Sequence, residues 1–477
     1  MKYQVVWFKR DLRIEDHRPL VEAAKFGPVL PIYIVEPELI HAPDFDPSHW
    51  TFVRASLVKL SEQLARIGQA LVVRVGDPVE VFNHLPIAHL WAHEETGNWI
   101  SYQRDRRVRR WAKDTNTPFT EVPSNGVVRR LATRDGWSRN WEQRMAELPL
   151  PAPASLQKSI SGTRIPTHAE LNLGPDLRRL AQSGGELAAL QTLDSFLSAR
   201  GVHYHAELSS PLSAEESCSR LSPYLAYGNL STRQVVQATR RRLATLNDGE
   251  AVSWRRSLRA FDARLHWRCH FMQKLEDAPR IEFENMVRAY DGMREPHWNQ
   301  EWFEAWKTGQ TGYPMVDACM RMLQETGWIN FRMRAMLVSF ASYHLWLHWR
   351  EPALHLARLF VDYEPGIHYS QFQMQSGTTG INTVRMYSPL KQQQDHDPAE
   401  LFINRWLPEL ASGKYPTPIV DHKGAIALAR QRIGAVRNQA ATRHEASETV
   451  RKHGSRKRPS ARKKTAKPKQ DGQQMLF

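Results

Sequence analysis

The sequence predicts an α/β parallel-sheet domain followed by an all-helical domain. Over roughly the first 125 residues, short β-rich runs alternate with amphipathic helical stretches. From about residue 190 the strand signal ends and long helical periodicities replace it. At 477 residues the chain is also too long for one small domain.

The elements follow in order. QVVWF (4–8), VLPIYIV (29–35), ALVVRVG (70–76) and HLWAHEE (89–95) are apolar and short. They read as buried parallel strands. SLVKLSEQLARIG (56–68) has the period of an amphipathic helix. Strand and helix in alternation make a Rossmann-like parallel sheet, placed at 1–130. Residues 131–190 read as an irregular interdomain linker, with LPLPAPASLQ (148–157) as clear loop. Residues 191–435 read as the helical domain. In YPMVDACMRMLQETG (313–327), Met315, Ala318, Cys319 and Met322 share one face. Residues 436–477 read as a disordered basic tail: from Gln439 onward, Lys and Arg outnumber Asp and Glu by eight.

Composition narrows the function. The net charge of +15 suits a polyanionic partner, and the tail carries more than half of it. Sixteen tryptophans imply a large aromatic core, a stacking surface, or both. Three cysteines (Cys218, Cys269, Cys319) are too few for a disulfide framework or a four-cysteine metal site. The N-terminus MKYQVVWFKRDLR is charged where a signal peptide is apolar, and no run is apolar enough to span a membrane. A cytoplasmic monomer is expected. His266, Cys269 and His270 have helical i, i+3, i+4 spacing but no fourth ligand, so no metal is expected there.

One stretch points to chemistry. SRLSPYLAYGNLS (219–231) packs hydroxyls, an arginine and a Gly-Asn turn at a helix start. Such a turn is either an ordinary N-cap or an anion site for a phosphate.

Four segments together resemble the photolyase/cryptochrome family: VVWFKRDLRIEDHRPL (5–20), SRLSPYLAYGNLSTRQ (219–234), WKTGQTGYPMVDACMRMLQETGWI (306–329) and RWLPEL (405–410). The resemblance runs over about residues 4–435. It implies an all-helical domain that binds FAD bent into a U, and it assigns the 219–231 turn to the pyrophosphate. By motif match it implies cofactor contacts at Tyr204, Cys218, Ser219, Arg220, Leu221, Ser222 and Phe261. Around the flavin ring it implies Arg268, Arg332, Arg334, Asp362 and Glu364, with His368 as the residue facing N5. Cys218 stands where the family has a hydroxyl, and Glu364 replaces the second Asp of an Asp-x-Asp pair. A second, antenna chromophore is common in the family, and its identity is not legible here.

The departures fall on the lesion pocket. ARLHWRCHF (263–271) keeps Trp267 and Arg268 but has Arg264 at the position of a lesion-binding Glu. GWINFRMRAML (327–337) has Phe331 where the family has Asn and Ala335 where it has Met. The family's Trp-x-Trp reads Phe372-Gln373-Met374, so the second stacking Trp is lost. The resemblance implies a tryptophan line carrying electrons from the surface to the flavin. Trp306 and Trp349 match its outer members, and Phe372 stands at the flavin end, where Tyr369 or Trp346 would have to substitute.

The function implied is light-driven DNA repair of the deoxyribodipyrimidine photo-lyase type. Excited reduced FAD would pass an electron to a pyrimidine dimer flipped out of the DNA. Arg255, Arg256, Arg259, Arg264, Trp267, Arg332 and Gln392 would grip the DNA. The alternative is a cryptochrome-like blue-light receptor using the same FAD. The end of the chain, QQMLF (Gln473–Phe477), resembles the Gln-x-x-Leu-Phe peptide with which bacterial repair proteins dock on the sliding clamp.

Overall fold

The structure is a computed structural model that describes residues 1–157, 161–247 and 251–456. Five strands form one parallel sheet: β1 Tyr3–Phe8, β2 Val29–Val35, β3 Val72–Val75, β4 Ile87–His93 and β5 Phe119–Val122. Their order is β3-β2-β1-β4-β5. The chain reverses direction of travel at β1, where Val5 pairs with Leu30 on one side and Leu90 on the other. In such sheets ligands gather at the carboxyl ends beside the reversal. Four of the five strands match the apolar runs. β5, FTEV, is half-buried and half-polar, and no apolar run announces it.

Helices cover both faces, among them α1 Pro47–Arg66 and α2 Trp99–Asp114. The segment expected to be linker contains a helix, α3 Trp137–Ala146, whose Trp137, Trp141 and Met145 are buried at i, i+4, i+8. That period lay hidden among charged residues.

The helical domain is built around α4, Ala251–Asp277. Further helices used below are α5 Gln300–Thr308, α6 Pro314–Thr326, α7 Phe331–Ser339, α8 Pro365–Ser376, α9 Pro389–His396, α10 His422–Arg437 and α11 Ala440–His453. Gly366 lets α8 approach α4 closely, since a Cβ there would lie 2.6 Å from Met272 Cα. The face of α6 expected to be apolar is buried: Met315, Ala318, Cys319 and Met322 have at most 1% exposure.

The loop after β1 grips the helical domain. Arg10 donates to the carbonyls of Ala226 (2.8 Å) and Tyr363 (2.6 Å), and Arg13 to that of Gly228 (3.0 Å). Gly228 has φ +68°, and a Cβ there would meet Arg10 O at 2.3 Å. The docking therefore requires glycine.

The first part of the tail is helical where disorder was expected, and residues 457–477 lie outside the described residues. α11 spans Ala440–His453, and the Glu445 carboxylate accepts from the backbone N–H groups of Arg288 and Ala289. Averaging charge from residue 439 onward masked this docked helix. The Gln473–Phe477 peptide lies outside the described residues. No helix among the described residues is long and apolar enough to cross a membrane.

Candidate flavin-binding site

Five segments wall a cavity of about 300 Å³: residues 218–222, the face of α4 bearing Phe261, Arg264, Leu265 and Arg268, the stretch 328–331 with α7, residues 360–364, and α8. Its volume lies at the lower end of the range for ligand pockets.

The turn at 219–222 is held in an unusual conformation. Arg220 has φ +59°, a left-handed value that costs a non-glycine residue about 1–3 kcal/mol. Gln182 fixes it by donating to Arg220 O (3.0 Å) and accepting from Arg220 Nε (3.3 Å). The guanidinium lies 4.0 Å from the centre of the Trp328 ring. Arg200 clamps the preceding loop by donating to the carbonyls of Glu216 and Cys218, both at 2.7 Å. Sequence reasoning missed Arg200 and Gln182, because neither belongs to a local motif. Ser219, Leu221 and Ser222 line the cavity beside Arg220. Burial pushes the Cys218 thiol up to about 12, so it stays neutral. Tyr204 and Phe261 complete this end, with ring centres 6.0 Å apart.

Two ion pairs mark the other end. Arg334 holds Asp362 through both guanidinium nitrogens, at 2.9 and 2.8 Å. Arg268 donates to Glu364 Oε2 at 2.8 Å and to Leu225 O at 2.9 Å. Burial raises the Glu364 carboxyl above its usual range, against the pull of Arg10 and Arg268. His368 also lines the cavity; its Nε2 pairs with Ala353 O at 2.9 Å. Burial lowers its imidazole to about 4, so it is neutral at pH 7.

Four polar atoms of the cavity wall are buried without a hydrogen-bond partner: Glu364 Oε1, Asn330 Oδ1, and both Nε2 and Oε1 of Gln371. Buried polar groups are almost always paired, so these require explanation. A flexible dinucleotide carrying a ring with both donors and acceptors fits them. The charged turn at one end suits its phosphates. Gln371 and Asn330 escaped the sequence reading, because nothing in their neighbourhood marks them as inward-facing.

Trp267 and Arg264 share the cavity wall. Trp267 is half-buried and stacks edge-on against His270 at 4.9 Å. The Arg264 guanidinium lies 6.0 Å from the Phe331 ring.

Three expectations are corrected here. Arg332 is not on the cavity wall. Two residues from Arg334 on a helix, it projects about 200° away, into the electrostatic neighbourhood of Tyr387, Asp395 and Arg264. Gln392 on α9 is only 2% exposed, so it cannot touch a duplex lying on the surface. Trp306 on α5 is fully buried among Phe303 and His355, so it is not the solvent end of an electron relay. Trp349 is also fully buried. Its indole N–H donates to Asn285 Oδ1 at 2.7 Å and its ring neighbours Tyr369 at 6.5 Å. Phe372 does line the cavity, 4.6 Å from His368. Trp346 sits instead with Tyr343 and α10, against Arg294 and Arg432.

His266, Cys269 and His270 do not converge. His266 pairs with Ser138 and Cys269 lies in the apolar core. A different trio does converge: His17 Nε2 and His93 Nδ1 lie 2.9 and 2.7 Å from Asp11 Oδ2. His17 Nδ1 accepts from Leu20 N, so its Nε2 carries the proton it gives to Asp11 and has no lone pair for a metal. The trio pins the loop after β1.

Residues 4–147 match the family model described as DNA photolyase, and residues 261–414 match the FAD binding domain of DNA photolyase. A deoxyribodipyrimidine photo-lyase of Thermus thermophilus is 30% identical over 433 residues, covering 87% of this chain and 95% of that one. The chain belongs to the photolyase/cryptochrome family. A cryptochrome DASH of Gloeobacter violaceus is 28% identical, covering 91% of each chain. The crystal structure of an archaeal photolyase from Sulfolobus tokodaii, described as holding two FAD molecules and implying a novel light-harvesting cofactor, superposes with a TM-score of 0.77. It is 25% identical and covers 90% of this chain and 99% of that one. This family member thus carries the FAD-binding domain, and the orphaned polar atoms lie inside it.

Proposed function

We propose that this protein is a light-driven DNA repair enzyme of the deoxyribodipyrimidine photo-lyase type. The observation that carries the reading is one cavity joining three features. These are the strained Arg220 turn, the paired carboxylates Asp362 and Glu364, and the rim residues Trp267 and Arg264.

FAD bound there would supply one electron on excitation, to split a dimer that receives it. The chain's own residues do the rest. Ser219, Arg220 and Ser222 hold phosphate. Arg334 and Arg268, each oriented by a carboxylate, turn their remaining N–H donors to the ring, and hydrogen bonds to its charged form favour the anionic reduced flavin. Trp267 offers a stacking face to a flipped base. Arg264 donates to a pyrimidine carbonyl as a permanent cation, where the related enzymes use a carboxyl proton. Arg332, off the cavity wall, meets backbone phosphate.

The test is a dimer-containing oligonucleotide incubated with reduced protein in light and dark, as single and double strands. Light-dependent loss of dimer is expected. No loss on either strand form removes the repair reading in favour of the receptor.

A smaller cavity of about 120 Å³ lies at the strand ends between Phe8, Glu36, Trp50 and Tyr363, with Arg104 ion-paired to Glu36 and Glu95 inside it. Its volume is below the range for drug-sized ligand pockets. The protein acts as a cytoplasmic monomer on UV-damaged DNA. Gln473–Phe477 docks on a bacterial sliding clamp with Leu476 and Phe477 as anchors. Deleting those two residues abolishes clamp binding, and a full-length chain that shows none in a titration ends that reading.

A further inference from the structure

The tryptophan line is broken in two places: Phe372 is hard to oxidise, and Trp306 is buried away from solvent. Behind Phe372 and His368, however, lies a group of oxidisable rings attached to a base. Tyr363, a cavity-lining residue, places its phenol oxygen 2.6 Å from Asp44 Oδ2. The phenol oxygens of Tyr363 and Tyr369 are 3.1 Å apart, and Tyr369 lies 3.5 Å from the same carboxylate oxygen. Tyr363 has one proton, so it donates to Asp44 and accepts from Tyr369. Asn98 donates to Asp44 at 3.0 Å and holds the carboxylate in place. The tyrosines and Asp44 are all buried, and Tyr369 has no exposure. The His368 ring lies 5.1 Å from Tyr363 and 5.4 Å from Tyr369. The buried Trp349 ring lies 6.5 Å from Tyr369.

We propose that Tyr363 and Tyr369, with Asp44 as proton acceptor, form a proton-coupled electron path that reduces the oxidised flavin in light. The proposal rests on the flavin reading of the cavity. Burial disfavours a charged tyrosine radical, so a phenol in this place loses electron and proton together. The Tyr363 electron goes to the photoexcited oxidised flavin, and its O–H bond breaks as the proton crosses to Asp44. A neutral tyrosyl radical and a carboxylic acid remain. Tyr369 then passes an electron and its proton to Tyr363. A solution thiol is the final reductant: it loses one electron and releases its own proton to water, the electron restores Tyr369, and Asp44 returns the proton. The carboxylate comes from the N-terminal domain and both phenols from the helical domain, so the path exists only in the docked pair of domains.

Illumination of the flavin-loaded, oxidised full chain with a thiol tests this. An electron paramagnetic resonance signal that narrows when the protein is made with ring-deuterated tyrosine is expected. So is a rate of flavin bleaching that falls in D₂O. Asp44→Asn and the Tyr363→Phe/Tyr369→Phe pair should each slow bleaching by about tenfold or more, and Asp44→Asn should erase the solvent isotope effect. A radical unaffected by tyrosine deuteration, or bleaching at the parent rate in the double Phe variant, overturns the path. The radical experiment needs no variant, so a variant that misfolds does not shelter the proposal. A preparation that takes up no flavin defeats the cofactor reading separately. The phenol–carboxylate bond is then read as a blue shift of tyrosine absorbance in Asp44→Asn, and no shift also overturns the path.

Discussion

Asp362→Asn is the sharpest perturbation of the site. Asp362 accepts two charge-assisted bonds from Arg334, its side chain is 3% exposed, and that of Arg334 is 22% exposed. An asparagine keeps the shape but turns an amide donor toward a guanidinium donor. Breaking a buried pair by removing one charge costs about 3–5 kcal/mol. Arg334 keeps some contact with water, so the lower end applies, about 3 kcal/mol. The urea slope of a 477-residue chain is at least about 3 kcal/mol/M, so the unfolding midpoint falls by up to about 1 M. The assay is urea denaturation of the loaded protein, followed by the rise of flavin fluorescence on release and by circular dichroism. Arg334→Lys keeps the charge but loses the fork, and should fall between parent and Asp362→Asn. The surface pair Arg164–Glu170, 71% and 40% exposed, is the control: Arg164→Gln should leave the midpoint unmoved. An Asp362→Asn midpoint equal to the parent's would refute the claim that this pair builds the cavity wall.

Other outcomes follow from the same geometry. Trp306→Phe should bleach bound flavin in light at the parent rate, because the ring is a core residue; a large slowing restores it to the relay. Arg264→Gln should weaken binding to dimer-containing DNA and lower the slope of log affinity against log salt by about one, as expected for one lost ionic contact; an unchanged slope removes Arg264 from the interface. Burial, and then the neighbouring His422, push His344 down to about 3, from 6.5 in an unfolded chain. The unfolded state therefore takes up the proton first, and the stability this pair contributes is lost as pH falls from 6.5 toward 3. Melting temperatures of His344→Phe measured from pH 7 to pH 5 should fall less than the parent's; parallel curves would show that His344 is protonated in both states alike.

What could be read without coordinates was local. The apolar runs of β1 to β4 announced a buried parallel sheet, because strands covered on both faces need no polar alternation. The Ser-Arg-Leu-Ser turn left an ordinary N-cap and an anion site open, because hydroxyls beside a helix start serve either, and only the family resemblance chose between them. Trp267, Arg268 and Arg334 were placed by the family motifs they match, and all three line the cavity. The motif match could not say which way Arg332 turned, since that depends on what covers the other side of α7. Nor could it show that Gln392 and Trp306 are buried, for amide and indole side chains occur both inside and outside proteins. Glu445 lies in a charged tail, yet it is held by two backbone N–H groups far back in the chain. Asp44 and Tyr363 are separated by more than three hundred residues, and only the docking of two domains brings carboxylate and phenol to 2.6 Å. Short-range patterning set most of the elements, and the family motifs pointed to the ligand. Desolvation and long-range contact, which have no local signature, decided which groups are buried and which are paired.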